Sequence, residues 1–590
     1  MNATSIFGKE FVTYTPEIER VARLPRRVWS EQEGLALAAD MTRELKTPQG
    51  TMSLRPVQAI GLYEAMQVRG LFAPQRVGSG KTIETLLLPL VLQARQPVLL
   101  LPAGLIEKTC VDWKMLAEHW RLPTNLQMIS YEMLGLVQSV ETLNYIRPDL
   151  IISDECHKLK NNKAGRTKRI SRYMHENPQT MFCALSGTIM KGSITDFAPL
   201  LRWSLKANAP VPMTVEETDK WAEALDEGVN PLQRRRPGAL EALACPPRAI
   251  VTLPAVRQVF QERLLQTRGV VASEKNDGVT CSLVIRALEY KPSKLTEAHV
   301  RHLRNTWTTP DGWPFIEALE FRRYMRELSL GFHGVWDPRP PDSWLTPRKV
   351  WASWVRDILS HSRTLDTEFQ VVHAVEGREI EGLNGWWKPK KLDDGGRLAA
   401  WRAVRDTFTI QPKPIWHDDS ALLAAAEWMK ENKGIVWTEH QFFARRLSEM
   451  TGCSYYGADG VNERRESITL VKPGRAIIAS IAANGTGRNL QMFSKNLIVS
   501  CPPGSLTLEQ LIGRTHRPGQ EADEVTVDIL LGCREHFEAF ERALEGARAT
   551  ADTIGHDQKL LLSTIVFPVS VDDRRGGVDA NGNSLTPLWD

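Results

Sequence analysis

Short apolar runs rich in β-forming residues alternate with longer helical patterns in two separate stretches of the chain, and this repetition constrains the fold more than anything else in the sequence. In the first stretch, from about residue 70 to 205, the runs cover residues 70–73, 97–101, 149–153 and 181–185. The alternation returns at about residue 434, with runs at 434–438, 475–480, 496–500 and 525–531. Strand, helix and strand in succession bury a sheet under helices, so each stretch predicts a parallel sheet covered on its faces. The interval between residues 188 and 434 is far longer than any loop inside a compact domain requires, and it predicts substructure of its own. The expected fold class is therefore α/β, with two parallel-sheet lobes at 51–205 and 431–555 and a Trp-rich, mainly helical module inserted at 206–430. A preceding segment (1–50) and a tail (556–590), loose from about Asp572 with its Gly576-Gly577 pair, complete the plan.

The 590 residues, 42% of them apolar, exceed what a single core accommodates and set a prior of roughly three or four domains. Twelve of the 18 tryptophans fall between residues 301 and 440, among them Trp336, Trp344, Trp351, Trp354, Trp386 and Trp387. That density argues against a disordered linker; most rings are expected in a core and a few as platforms for bases or a partner protein. The formal charge of +4, from 74 basic and 70 acidic residues, names no polyanion partner, so nucleic-acid binding has to rest on local features. Arg234-Arg235-Arg236, Arg322-Arg323 and the trio Lys388, Lys390 and Lys391 are the basic clusters that could track phosphates. The eight cysteines include no CxxC pair, which argues against a zinc module and a disulfide framework and for a reducing compartment. No run approaches the ~20 apolar residues of a membrane span. The first residues lack the basic-then-apolar order of a secretory signal, so a cytoplasmic location without membrane contact is expected.

Chemistry is concentrated in two short segments. Gly78-Ser79-Gly80-Lys81-Thr82 follows the first apolar run and opens an apolar helix at 83–92. Glycines let backbone N–H groups wrap a polyphosphate without Cβ clashes, and the helix N-terminus favours negative charge. In such a loop Lys81 reaches the β- and γ-phosphates and the Thr82 hydroxyl can ligate Mg²⁺. The longer pattern G-x-x-x-x-G-K-T asks for glycine where this chain has Gln75. Asp154-Glu155-Cys156-His157 ends the apolar run 150–152, at the carboxyl end of a strand, where open α/β sheets bind ligands. Asp154 is suited to hold Mg²⁺ and Glu155 to orient or deprotonate an attacking water.

Together these segments resemble helicase superfamily two. Asp154 to Asn161 (DECHKLKN) resembles its Asp-Glu-x-His box of the DEAD/DEAH class, in the Swi/Snf version. Leu185-Ser186-Gly187-Thr188 resembles its Ser-Gly-Thr coupling segment. The run from Gln510 to Gln520 (QLIGRTHRPGQ), the most specific match, is similar to the Swi/Snf arginine-finger motif. Asn484-Gly485-Thr486-Gly487-Arg488-Asn489-Leu490 resembles the Gly-rich loop of the second lobe, and Leu54-Arg55-Pro56-Val57-Gln58 the adenine-reading glutamine segment. The resemblance covers roughly 50–205 and 430–535; a looser likeness of 330–338 to bacteriophage helicases lies in the middle module. It implies two RecA-like lobes, ATP and Mg²⁺ as substrate and cofactor, and DNA, preferably duplex, as the track. Gln58, Gly78, Ser79, Gly80, Lys81, Thr82, Gly487 and Gln510 are implied to bind nucleotide; Arg514 and Arg517, three apart on an expected helix, are implied to act as fingers. Cys156, Ile189 and Cys501-Pro502-Pro503-Gly504 depart from the family pattern. The expected activity is a DNA-dependent ATPase that translocates on or remodels DNA in phage-type replication, recombination or repair. The alternatives are a strand-separating DNA or RNA helicase, or a nucleotide-gated scaffold for a replication or transcription protein.

Overall fold

A computed structural model describes residues 10–567, apart from 76–78, 137–138, 188–192, 227–228, 231–232, 247–251, 274–278, 280, 311–317, 363, 383–384, 410, 473, 486 and 556; at 318–320, 381–382 and 385–387 it describes the backbone alone. Gly78, Thr188, Ile189, Thr486 and the tail from Asp572 lie outside the described residues. The chain divides into two compact units. The first comprises Met1–Asp277, Pro340–Thr409 and Ala549–His556, and the second Gly278–Arg339, Ile410–Arg548 and Asp557–Asp590. The interval 206–430, expected as one inserted module, is thus shared between them. Both units are α/β, and the main sheet of each is entirely parallel.

In the first unit the strands are β1 (Leu71–Pro74), β2 (Pro97–Leu101), β3 (Gln127–Ser130), β4 (Leu150–Asp154) and β5 (Met181–Ser186), ordered β1-β5-β4-β2-β3. Side chains alternate between two buried faces. Phe72, Val98, Leu100, Ile151 and Phe182 enter one apolar cluster. Leu71, Leu99, Leu101, Ile152 and Cys183 enter the other. Burial on both faces explains why these strands read as continuous apolar runs. Beyond β1 the backbone of Gly269 and Val271 continues the pairing, with Phe72 N–H donating to Gly269 at 2.8 Å and Val271 N–H to Phe72 at 3.0 Å. Only β3, whose first half faces solvent, escapes the sequence pattern.

The Trp-rich segment 340–409 belongs to this unit and has a small core of its own around Trp351, Val355 and Val371. It is tied to the helix Gly165–Glu176 by Asp366, a buried carboxylate 3.4 Å from Arg169 and 3.2 Å from Arg172. Removing one partner of such a buried pair typically costs ~3–5 kcal/mol, so the tie is structural.

The second unit holds β6 (Ser282–Glu289), β7 (Ile435–Thr438), β8 (Tyr455–Tyr456), β9 (Ile477–Ser480), β10 (Lys495–Ile498), β11 (Glu524–Leu531) and β12 (Thr564–Val566). Their order is β8-β9-β7-β10-β11-β6-β12. β6, from the interval expected to form a module, pairs along its whole length with β11. Arg286 on β6 makes a two-pronged contact with Asp528 on β11, at 2.8 and 3.0 Å. Trp428 donates its indole N–H to the same carboxylate at 2.8 Å. Of the nine tryptophans between residues 301 and 440 with described side chains, Trp344, Trp351, Trp428 and Trp437 are buried, Trp354, Trp401 and Trp416 are partly buried against apolar clusters, and Trp307 and Trp336 stay exposed.

Candidate active site

The loop after β1 runs into the helix Lys81–Val91, whose N-cap is Gly80 in the left-handed region at φ +84°. The conformation favours glycine, and a Cβ there would meet the Gln58 amide nitrogen at 2.4 Å and displace it. Gln58, on the helix Pro56–Val68, is buried and uses both ends of its amide. Its Nε2 donates to the carbonyls of Gly80 (2.9 Å) and Ser79 (3.4 Å), and its Oε1 accepts from Arg55 N–H at 2.9 Å. The residue expected to read adenine braces the Ser79-Gly80 turn.

Lys81 donates through Nζ to the Gln75 carbonyl at 3.0 Å. Gln75, visible in the sequence only as a missing glycine, is fully buried and links the surroundings of the loop. Its Oε1 accepts from Ser79 Oγ at 3.3 Å, its Nε2 donates to Glu84 at 2.8 Å, and its N–H donates to the Ser186 carbonyl at 3.2 Å. Burial pushes Glu84 up to about 8, against the opposing Gln75 hydrogen bond and Lys81 charge, so it is mostly protonated at neutral pH. The sequence carries a signal for this pair: Glu84 is the acidic residue among the apolar residues of TIETLLLPL. Thr82 occupies the first helical turn and is partly exposed.

Asp154 ends β4, which is separated from β1 by β5 alone. Glu155 turns the chain with φ +55°, and its N–H donates to Asp154 Oδ1 at 3.0 Å. Burial, and then the neighbouring Glu155 charge, push Asp154 up to about 6, while Lys81 pulls it down. The charge of Lys81 thus reaches Asp154. Glu155 Oε2 accepts from Ser186 Oγ at 3.1 Å and lies 3.2 Å from His157 Nδ1, which is itself 3.0 Å from Ser186 Oγ. The acid, the box histidine and the end of β5 thereby form one polar triangle. Beneath it, the buried Tyr131 hydroxyl donates to the Asp154 carbonyl at 2.6 Å and faces Ser153 Oγ at 2.7 Å, a support that sequence reasoning missed.

Among the described residues no three His, Cys, Asp or Glu side chains gather into a metal cage. Mg²⁺ needs none: it commonly takes one or two carboxylates and completes its shell with phosphate oxygens and water. The Thr82 hydroxyl and the Asp154 carboxylate are hard oxygen donors of that kind. The adjacent like charges of Asp154 and Glu155 are a local excess that a cation would offset.

In the second unit the helix Ser505–Ile512 stops at its C-cap, Gly513. Arg514 and Arg517 do not share a helix, contrary to the expectation from their spacing; they lie on the turn beyond it. Gly513 ends the helix, and Pro518 follows in the turn, where no helix resumes. Arg514 is buried, with Nε donating to the Gln510 carbonyl at 2.8 Å and Nη1 to the Arg488 carbonyl at 3.1 Å. Leu490 N–H returns a bond to the Arg514 carbonyl at 3.1 Å, and Arg517 Nη1 donates to Asn489 Oδ1. The arginine turn and the Gly-rich loop, with Gly487 at φ +75°, are thus one assembly. Gln510 is buried on the helix's last turn, and Arg517 is the more exposed of the two arginines.

No protein-family model matches the chain, and no curated protein matches it.

Proposed function

We propose that the chain is an ATP-hydrolysing nucleic-acid motor of the Swi/Snf type in helicase superfamily two, with one RecA-like lobe in each unit. The observation that carries this reading is the meeting of Lys81, Asp154 and Glu155 at the carboxyl ends of β1 and β4, above a loop whose conformation at Gly80 favours glycine. A solvated acidic turn would not have a partly buried aspartate at a strand end within reach of a lysine's charge, beside a glutamate bonded to Ser186.

In the proposed reaction Lys81 exchanges the Gln75 carbonyl for β- and γ-phosphate oxygens of ATP, a stronger, charge-assisted contact. Thr82 and Asp154 would hold Mg²⁺, which would supply charge neutralisation at the phosphates. Glu155 orients and deprotonates the attacking water, and Ser186, hydrogen-bonded to Glu155, relays the state of the site to β5. Arg514 and Arg517 offset charge as the γ-phosphoryl group leaves. Gln58, Ser79 and Gly80 shape the first unit's share of nucleotide binding, and Gly78, Gly487 and Gln510 are assigned to nucleotide binding by resemblance. The track is DNA, gripped through its backbone so that no sequence is favoured.

Steady-state ATP hydrolysis measured with duplex DNA, single-stranded DNA and RNA in turn tests the proposal. Stimulation by duplex DNA supports it, and hydrolysis indifferent to all three contradicts it.

A further inference from the structure

The basic clusters of the sequence have unequal fates. Arg234-Arg235-Arg236 is spent internally: Arg234 donates to the Asp226 carbonyl at 2.7 Å, Arg235 pairs with Glu10 and Glu223, and Arg236 lies over the Phe11 ring. Arg322 and Arg323 are exposed on the helix Ala318–Ser329, and among the described residues neither has an ion pair. Together with Arg326 and Arg542 they line a groove of about 290 Å³ that reaches Pro503.

The two carboxylates of the groove are already engaged. Glu535 takes a two-pronged contact from Arg304, at 3.0 and 2.9 Å, and Glu538 pairs with Arg534 (2.9 Å) and Arg542 (3.3 Å). Arg304 and Arg534 thus offset these carboxylates from outside the groove lining, and neither carboxylate pairs with Arg322 or Arg323 among the described residues. Arg326 is nearly buried and anchored to the Cys501 carbonyl at 2.8 Å, which fixes the loop carrying Pro503. Burial, then Arg322 and, more weakly, Arg326, push Arg542 below the usual arginine range, as expected where guanidinium groups converge. Glu327, the acid near Arg323, is pushed up to about 7 by burial against the Arg323 charge, so it offsets only part of this charge at neutral pH.

We propose that this arginine groove holds backbone phosphates of a DNA strand. Guanidinium groups match phosphate oxygens in a fork geometry, and four arginines along one groove, two of them exposed, suit successive phosphates of a strand better than one isolated anion. Pro503 and Ala539 contribute an apolar wall that lets a sugar–phosphate backbone approach closely. The groove lies beside Cys501-Pro502-Pro503-Gly504, the segment that departs from the family pattern, so this chain supplies here a grip of its own. The inference rests on the nucleic-acid reading above.

Its test is the salt dependence of duplex-DNA affinity for the full chain and for the Arg322→Ala/Arg323→Ala variant, with Arg322→Lys/Arg323→Lys alongside. The alanine variant is expected to lower the log–log slope by about 1 for each phosphate that is no longer neutralised. The lysine variant should keep the slope, and thermal unfolding should be unchanged in both. An unchanged slope in a folded alanine variant overturns the groove while leaving the motor intact. Loss of inorganic-phosphate binding with DNA affinity retained also overturns it, in favour of a free anion. Absence of DNA binding by the unaltered chain removes the motor reading and the groove together.

Discussion

Lys81 and Glu155 divide the expected chemistry between binding and turnover, and single substitutions separate the two. With Lys81→Ala the loop loses its cation for the β- and γ-phosphates, so ATP affinity should weaken and hydrolysis fall to background in a nucleotide-binding and turnover assay. Glu155→Gln keeps shape and an acceptor for Ser186 but cannot take a proton; ATP binding should persist while turnover falls by roughly 10²–10⁴. Near-normal turnover in either variant contradicts the assignment. Gly80→Ala imposes a φ of +84° on a residue with a Cβ and drives that atom to 2.4 Å from the Gln58 amide. The strain alone costs ~1–3 kcal/mol. Lower melting temperature and weaker ATP binding are both expected, because Gln58 has to release the loop carbonyls.

Elements decide which of the two arginines can be removed cleanly. Arg514 braces the carbonyls of Gln510 and Arg488 from a buried position. Arg514→Ala should therefore lower stability by about 1–3 kcal/mol in denaturant unfolding, in addition to reducing hydrolysis. Arg517→Ala should lose turnover with little change in stability or ATP affinity; finger arginines supply about 10³–10⁵ in comparable phosphoryl transfers. The helix Arg534–Ile554 begins with another fixed point, the fully buried His536. Its Nδ1 accepts from Gly532 N–H at 3.2 Å, so Nε2 carries the proton toward the Arg326 carbonyl at 3.2 Å. Burial pushes His536 down to about 4. The folded state keeps it neutral while the unfolded chain protonates near 6.5, so its contribution is complete above pH 6.5 and lost as pH falls toward 4. The loss amounts to about 3 kcal/mol, at 1.36 kcal/mol per unit. In urea melts between pH 7 and 4.5, His536→Gln should show a shallower decline than the unaltered chain; parallel declines would refute this.

For the complete chain, the proposed motor predicts that duplex DNA stimulates hydrolysis more than RNA does. Backbone contacts are ionic, so affinity should fall steadily with salt, at a log–log slope of about 0.9 per neutralised phosphate, and vary little with base sequence. Stimulation by RNA alone would overturn the DNA assignment, and stimulation by single strands alone would favour strand separation. The division of the interval 206–430 between the two units changes what that region can be. Residues 340–409 are docked through Asp366, and 282–289 are a strand of the second sheet. Truncating the interval as though it were a separable module should destabilise both units.

The sequence held the local information: apolar runs for β1, β2, β4, β5, β7, β9, β10 and β11, the phosphate-loop glycine, and the acidic pair at the end of β4. These features are contiguous, and their periodicity or turn chemistry is legible within a few residues. Tertiary structure decided the rest. β6 is a strand because β11, far along the chain, completes its hydrogen bonds and Asp528 neutralises Arg286. β3 and β12 are too short or too exposed to announce themselves, and the spacing of Arg514 and Arg517 predicts a helix where there is a turn, because spacing alone does not register a C-cap. Gln75 and Glu84 acquire meaning only through burial, which makes a glutamine the organiser of a loop and keeps a glutamate protonated. Each depends on which distant groups fold against it, and no neighbour in the sequence carries that information.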